Sequence, residues 1–121
     1  MYHSLIFVVS IIRSIAKTGG VEILKALKDG PLSWNELLKK ANQNSNTLSY
    51  RTREFIQLKL IEEELVSVQD SPRRRKVYVL TPTGKRILEL IEEIEKAYNV
   101  RISEDEKFER EAEEHLYGET K

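Results

Sequence analysis

Cysteine is absent from the 121 residues, and with it go disulfide staples, thiolate metal sites and thiol redox sensing. Histidine is scarce. His3 and His115 are too few for an imidazole metal cage, and no metal site is expected. Five glycines and three prolines are too few for a flexible linker or a disordered tract. No phosphate-cradling glycine loop, paired-acid pocket or nucleophile beside a base can be picked out, so the sequence reads as a non-enzyme without a cofactor. Long apolar runs are missing too. The longest, from Leu5 to Ala16, is shorter than the roughly 20 residues that a bilayer requires and is broken by Arg13. The residues before it, Met1-Tyr2-His3-Ser4, lack the positive charge of a secretory leader. A cytoplasmic protein with no membrane partner is expected.

What is present is a helix-rich composition, 40% hydrophobic and 33% charged, in a chain long enough for one core with a helical appendage. Its 20 basic and 20 acidic residues cancel, but not evenly. Past Val100 eight acids face four bases, a net −4, which leaves residues 1–100 at +4. A basic body suits contact with phosphate. The acidic end is expected to compete with nucleic acid for the cationic run over 73–76 and so to suppress non-specific binding.

The run from Leu5 to Ala16 predicts a helix buried on nearly every side, which a small domain achieves by packing Leu5, Phe7, Val8, Ile11 and Ile12 against a second copy. Val21, Ile23, Leu24 and Leu27 fall at helical spacing and Asp29-Gly30-Pro31 closes that helix. Ser33-Trp34-Asn35-Glu36 fits a capping box, opening a short helix that carries Leu37, Leu38 and Ala41. Trp34 is expected to pack at its start rather than to hold a ligand.

The polar break 42–46 leads to a longer helix over about 45–59, capped by Asn44 or Ser45. At 100° per residue, Leu48, Thr52, Phe55 and the stem of Lys59 face inward, while Asn46, Ser49, Tyr50, Arg53 and Gln57 face out. Two helices joined by a tight polar link make a helix-turn-helix, and the outward side chains are of the kind that read base edges.

From Leu65 the pattern becomes β-branched. Residues 65–69 and 77–80 predict a β-hairpin with its tip at 70–76, where Arg73, Arg74, Arg75 and Lys76 crowd together. Adjacent cations at the end of a ribbon repel unless an anion neutralises them, and a phosphate backbone would. Thr81-Pro82 caps a long helix whose Ile87, Ile91, Ile94 and Tyr98 alternate spacings of four and three, the seam of a coiled coil. A second capping box over 103–106 then predicts a terminal helix with Phe108, Ala112 and Leu116 as its apolar stripe.

This order resembles the winged-helix regulators of archaea and bacteria, in the broad company of the MarR, ArsR, PadR and HxlR families. The likeness runs over about residues 20–98. It is carried by Asn46-Thr47-Leu48-Ser49-Tyr50-Arg51, by Leu60-Ile61-Glu62 and, most specifically, by Tyr78-Val79-Leu80-Thr81-Pro82-Thr83-Gly84. The resemblance implies a mostly α, α+β winged helix-turn-helix, and with the segments on either side of it the chain is expected to have three parts. These are an apolar N-terminal dimerisation helix over 1–18, a DNA-binding core over 19–82, and a dimerisation helix with an acidic tail helix over 83–121. It also implies that the recognition helix and the hairpin tip touch DNA, which falls on the residues already picked from the helical wheel and the tip. Two positions depart from the pattern: Thr52 stands where such helices bury leucine, and Lys59 where a glycine commonly ends the helix.

The expected function is therefore a homodimeric, sequence-specific regulator of transcription whose partners are double-stranded DNA and a second copy of itself. The alternative is a winged-helix interaction module of a transcription or assembly complex, with its cationic ribbon on an acidic protein. The sequence identifies no small-molecule effector.

Overall fold

The cap signals and apolar periodicities become helices joined by very short links. The computed structural model describes residues 2–104, with side chains from residue 5 to residue 99. The element order is α1 (Tyr2–Ala16), α2 (Gly20–Ala26), α3 (Trp34–Ala41), α4 (Ser45–Gln57), β1 (Ile61–Ser67), β2 (Arg74–Leu80) and α5 (Pro82–Glu104). The chain divides into two compact units, Met1–Leu88 and Glu89–Lys121.

The core of the first unit comes from α2, α3, α4 and the root of the hairpin. Ile23, Leu24, Leu27, Leu37, Leu48, Phe55, Leu60 and Ile61 are fully buried there. Side chains of this size stabilise by about 1.5–3 kcal/mol each when withdrawn from water. Gly19 starts α2 at φ 82°, in the left-handed region open to glycine.

At the start of α3, the Glu36 amide donates to Ser33 Oγ and the Ser33 amide donates to Glu36 Oε1 at 2.9 Å, completing the expected capping box. Asn42 ends the helix with a left-handed backbone, and Asn44 Oδ1 accepts from the Thr47 amide at 2.8 Å to start α4. The link is thus three residues, 42–44. Ser45 and Asn46 belong to α4, because Asn44 already supplies the cap.

Thr52 and Lys59, the two positions that depart from the pattern of the resembled regulators, have local explanations. Thr52 is buried like the leucine it replaces, and its hydroxyl donates to the Leu48 carbonyl at 2.7 Å, which leaves no unpaired polar group on this side chain. Lys59 adopts φ 60° just past α4 and so makes the left-handed turn that glycine usually makes. That turn sends the Lys59 side chain to solvent, so its stem is not on the inward face as expected from the wheel.

The hairpin is longer than its β-branched residues predict. β1 and β2 pair antiparallel from Ile61 opposite Leu80 to Ser67 opposite Arg74, leaving a loop of residues 68–73. Arg74, Arg75 and Lys76 accordingly sit in strand β2, opposite Ser67, Val66 and Leu65, while Arg73 alone of the four remains in the loop. Backbone pairing with β1 overrides the poor strand preference of the charged run. Leu32 adds a stub of a third strand: its amide donates to the Tyr78 carbonyl at 3.1 Å and its carbonyl accepts from the Tyr78 amide at 2.8 Å.

Thr81 closes the hairpin onto α5. Its hydroxyl reaches the carbonyls of Lys59 at 2.7 Å and Leu60 at 3.1 Å, and its oxygen accepts from the Gly84 amide at 2.9 Å. α5 runs on through Ser103 and Glu104, without the break expected at the second capping box, whose remaining residues lie outside the described ones. No glycine or proline stands between Asn99 and Ile102 to stop it. The predicted terminal helix, with Phe108, Ala112 and Leu116, and most of the acidic tail lie outside the described residues.

In the single chain the apolar side chains along most of the N-terminal helix are uncovered. Leu5, Phe7, Val8 and Ile12 are 51–63% exposed and Ile11 is half-buried. Only toward its C-terminus does α1 sink into the unit, with Ser14 buried. Among the described residues no helix is long and apolar enough to cross a membrane. Helix-turn-helix α3–α4, the hairpin that follows it and the flanking helices make a mostly helical winged helix-turn-helix.

Candidate nucleic-acid interface

α4 separates its two faces cleanly. Leu48, Thr52 and Phe55 are buried, whereas Asn46, Tyr50, Arg53 and Gln57 are exposed and Ser49 is half-buried. These five outward residues fall within an arc of about 100° around the helix axis. They form one polar strip over three turns: two amides, a hydroxyl, a phenol that is 60% exposed and a guanidinium. Such groups can donate to and accept from base edges in a groove. The helix is held from behind by its buried side chains, so the strip is presented on a rigid support.

The four cations of the hairpin are not equivalent. Arg73 and Arg74 are exposed and have no acidic partner among the described residues. Arg73 follows a tight turn in which Asp70 takes φ 60°, the Ser71 amide donates to the Val68 carbonyl and the Arg73 amide donates to Ser71 Oγ. Lys76 pairs with Glu63 at 3.3 Å and lies 6.0 Å from the centroid of the Tyr78 ring. Arg75 reaches back to α3 and pairs with Glu36, the acid of the capping box. The pairing of two of these cations could not be read from the sequence, because Glu36 and Glu63 are distant in the chain.

Tyr78 anchors the root of the hairpin. Its ring meets Trp34 at a centroid distance of 6.1 Å in a tilted arrangement, as expected for a packing tryptophan. Burial pushes the phenol above its ordinary 10.0, Lys76 opposes that, and Glu63 adds to the rise.

Sequence reasoning missed the junction behind α4. Ser14 Oγ donates to Glu54 Oε2 at 2.7 Å, the Lys17 ammonium lies 3.4 Å from the same carboxylate, and Arg51 Nη1 lies 3.0 Å from its other oxygen. Burial acts to raise the Glu54 carboxyl, but the Ser14 hydrogen bond, Arg51 and Lys17 together hold it below its ordinary 4.5. The Arg51 contact is an ion pair without hydrogen-bond alignment, and Nε and Nη1 of that guanidinium are buried without a hydrogen-bond partner among the described residues. This junction ties the end of α1 to the back of α4. Glu54 and Arg51 sit on the flank of the helical wheel, between its two faces, where periodicity assigns no role.

No family model and no curated protein matches the sequence. Solved structures do match. The PadR family transcription regulator from Clostridium difficile is 22% identical, with a TM-score of 0.58 over 69% of this chain and 95% of its own. The reduced transcriptional regulator YodB from B. subtilis is 21% identical, with a TM-score of 0.60 over 72% of this chain and 83% of its own. The homodimeric winged helix-turn-helix DNA-binding domain from Mycobacterium bovis is 16% identical, with a TM-score of 0.63 over 80% of this chain and 85% of its own. At these identities the shared property is the fold, the winged helix-turn-helix.

Proposed function

We propose that the chain is a homodimeric transcriptional regulator that reads double-stranded DNA in a sequence-specific manner. The observation that carries this reading is the uncovered polar strip of α4, Asn46, Ser49, Tyr50, Arg53 and Gln57, on a helix whose opposite face is locked in the core. α4 enters the major groove, where Arg53 and Asn46 are suited to two-bond contacts with guanine and adenine. Arg73 and Arg74, free of acidic partners among the described residues, meet the flanking phosphates. Lys76 contributes charge from the side of the ribbon.

The homodimer is supported by apolar surface that one chain leaves open. Leu5, Phe7, Val8 and Ile12 on α1, and Ile94 and Tyr98 on α5, are more than half exposed, with Ile11, Ile87 and Ile91 half-buried beside them in sequence. Surface of this kind is seldom left to water in a soluble protein. Covering it with a second copy gives two α4 helices and a near-palindromic site, with half-sites about 34 Å apart or a multiple of that. A cytoplasmic location accords with this role.

Selection of bound duplexes from a random pool tests the proposal. A near-palindromic consensus is expected. Retention of the pool without enrichment, together with co-purification of an acidic protein, would instead favour the interaction-module alternative.

A further inference from the structure

The strand register and the capping box of α3 meet at one carboxylate. Glu36 Oε1 accepts from the Ser33 amide at 2.9 Å, which starts α3, and the same oxygen pairs with the guanidinium of Arg75 on β2. The root of the ribbon is already attached at Tyr78, through the two backbone hydrogen bonds to Leu32 and the ring of Trp34. Arg75 is three residues nearer the tip, about 10 Å along the strand. One attachment would leave a two-stranded ribbon free to pivot, since such a ribbon has little rigidity of its own. Two attachments fix its angle.

Resting on the DNA-binding reading above, we infer that Arg75 is a positioning residue, not a phosphate contact: through Glu36 it sets the angle of the wing, and so the place of Arg73 and Arg74 relative to α4. Arg75 and Glu36 are each about half exposed, 47% and 49%, so water screens the pair and its contribution to folding stability is small. Its effect is geometric. The capping acid of the helix-turn-helix thereby also orients the wing, which explains why one cation in the middle of the run is turned away from the tip.

Glu36→Gln provides the test, because glutamine can still serve in a capping box while the charge that holds Arg75 is removed. Affinity for the selected duplex is measured across a salt series for Glu36→Gln, Arg75→Gln, Arg75→Lys and the double Gln variant. Each single Gln variant is expected to bind about 3- to 10-fold more weakly, with the double no weaker than either single, as for two halves of one interaction. Arg75→Lys should retain most of the affinity, and the salt slope should stay at its wild-type value throughout. Tighter binding by Glu36→Gln would overturn the inference, since removing an acid that masks a phosphate-binding arginine should strengthen binding. So would a salt slope lowered by about 0.9 for each Arg75 replaced.

Relaxation of the backbone amides of residues 68–76 in the free protein gives a readout without DNA. Larger-amplitude motion is expected in Glu36→Gln and in Arg75→Gln at an unchanged unfolding midpoint; unaltered wing dynamics would overturn the inference. A wing that loosens in a protein binding no duplex would leave the latch standing and remove the DNA-binding reading instead.

Discussion

Gly84 lies so close to the carbonyl oxygen of Leu60 that a Cβ added at this position would collide with it. This close approach completes the ring formed by the end of α4, the hairpin and the start of α5. The Leu60 carbonyl accepts from the Thr81 amide at 3.0 Å, and the Thr81 hydroxyl oxygen accepts from the Gly84 amide. Thr81-Pro82-Thr83-Gly84 is therefore a structural lock in which three of the four residues have an assigned part. Thr81 caps the helix, Pro82 occupies a first-turn position needing no amide hydrogen, and Gly84 permits the approach.

Gly84→Ala should cost about 3 kcal/mol or more, because the obstacle is backbone and cannot rotate away. Thr81→Val keeps the shape but removes the cap, and should cost about 1–2 kcal/mol. Chemical unfolding checks both. Equal stability of Gly84→Ala and wild type would mean that the helix and hairpin are free to move apart at this point.

Acid stability should depend on Glu54. Its folded carboxyl titrates below 4.5, so the folded state binds fewer protons than the unfolded chain between those two values. The contribution is full above the unfolded value and fades as the pH falls through the folded one. Glu54→Gln should then be less stable than wild type at pH 7, with the difference closing as the pH falls below 4.5. Tyr78 acts at the other end. Its raised value means that stability falls as the pH climbs past 10, and Tyr78→Phe should lessen that fall. Parallel unfolding curves for Glu54→Gln and wild type at every pH would exclude the carboxylate junction.

On the proposed interface, the two groups of residues should fail differently. Removing Arg73 and Arg74 together should weaken all duplexes alike and flatten the dependence on salt, by about 0.9 in the logarithmic slope for each phosphate no longer neutralised. Arg53→Ala should instead cost about 1–3 kcal/mol at particular base pairs and little elsewhere. Binding titrations on matched and mutated duplexes distinguish the two patterns, and one common pattern for both groups would contradict the division of roles.

The proposed dimer rests on exposed α1. Phe7→Glu places a charge in the surface to be covered, where a charge is costly to bury. It should yield monomers by light scattering and lower affinity for a palindromic duplex much more than for an isolated half-site. A dimer that withstands this substitution would place the interface elsewhere.

Much of the architecture is legible in the sequence because its signals are local. The capping box at Ser33, the Asn44 cap and the period of Leu48, Thr52 and Phe55 each act within one or two turns, and the outward strip of α4 follows from the same period. What the sequence conceals depends on residues far apart in the chain. The pairing of β1 with β2 draws Arg74, Arg75 and Lys76 out of the tip, and no local propensity predicts three cations inside a strand. Glu36 with Arg75, Ser14 with Glu54 and Leu32 with Tyr78 arise only once the helices have packed. Lys59 departs from its expected place for a different reason: one left-handed residue ends the helical period from which its orientation follows.

The central claim is that the outer strip of α4 and the arginines at the end of the wing form one DNA-contacting surface. Its most direct test is the change in amide and side-chain chemical shifts when the labelled protein is titrated with the selected duplex. Perturbations concentrated at Asn46, Ser49, Tyr50, Arg53 and Gln57, together with Arg73 and Arg74, are predicted; binding that leaves these residues unshifted and perturbs another face would contradict the account.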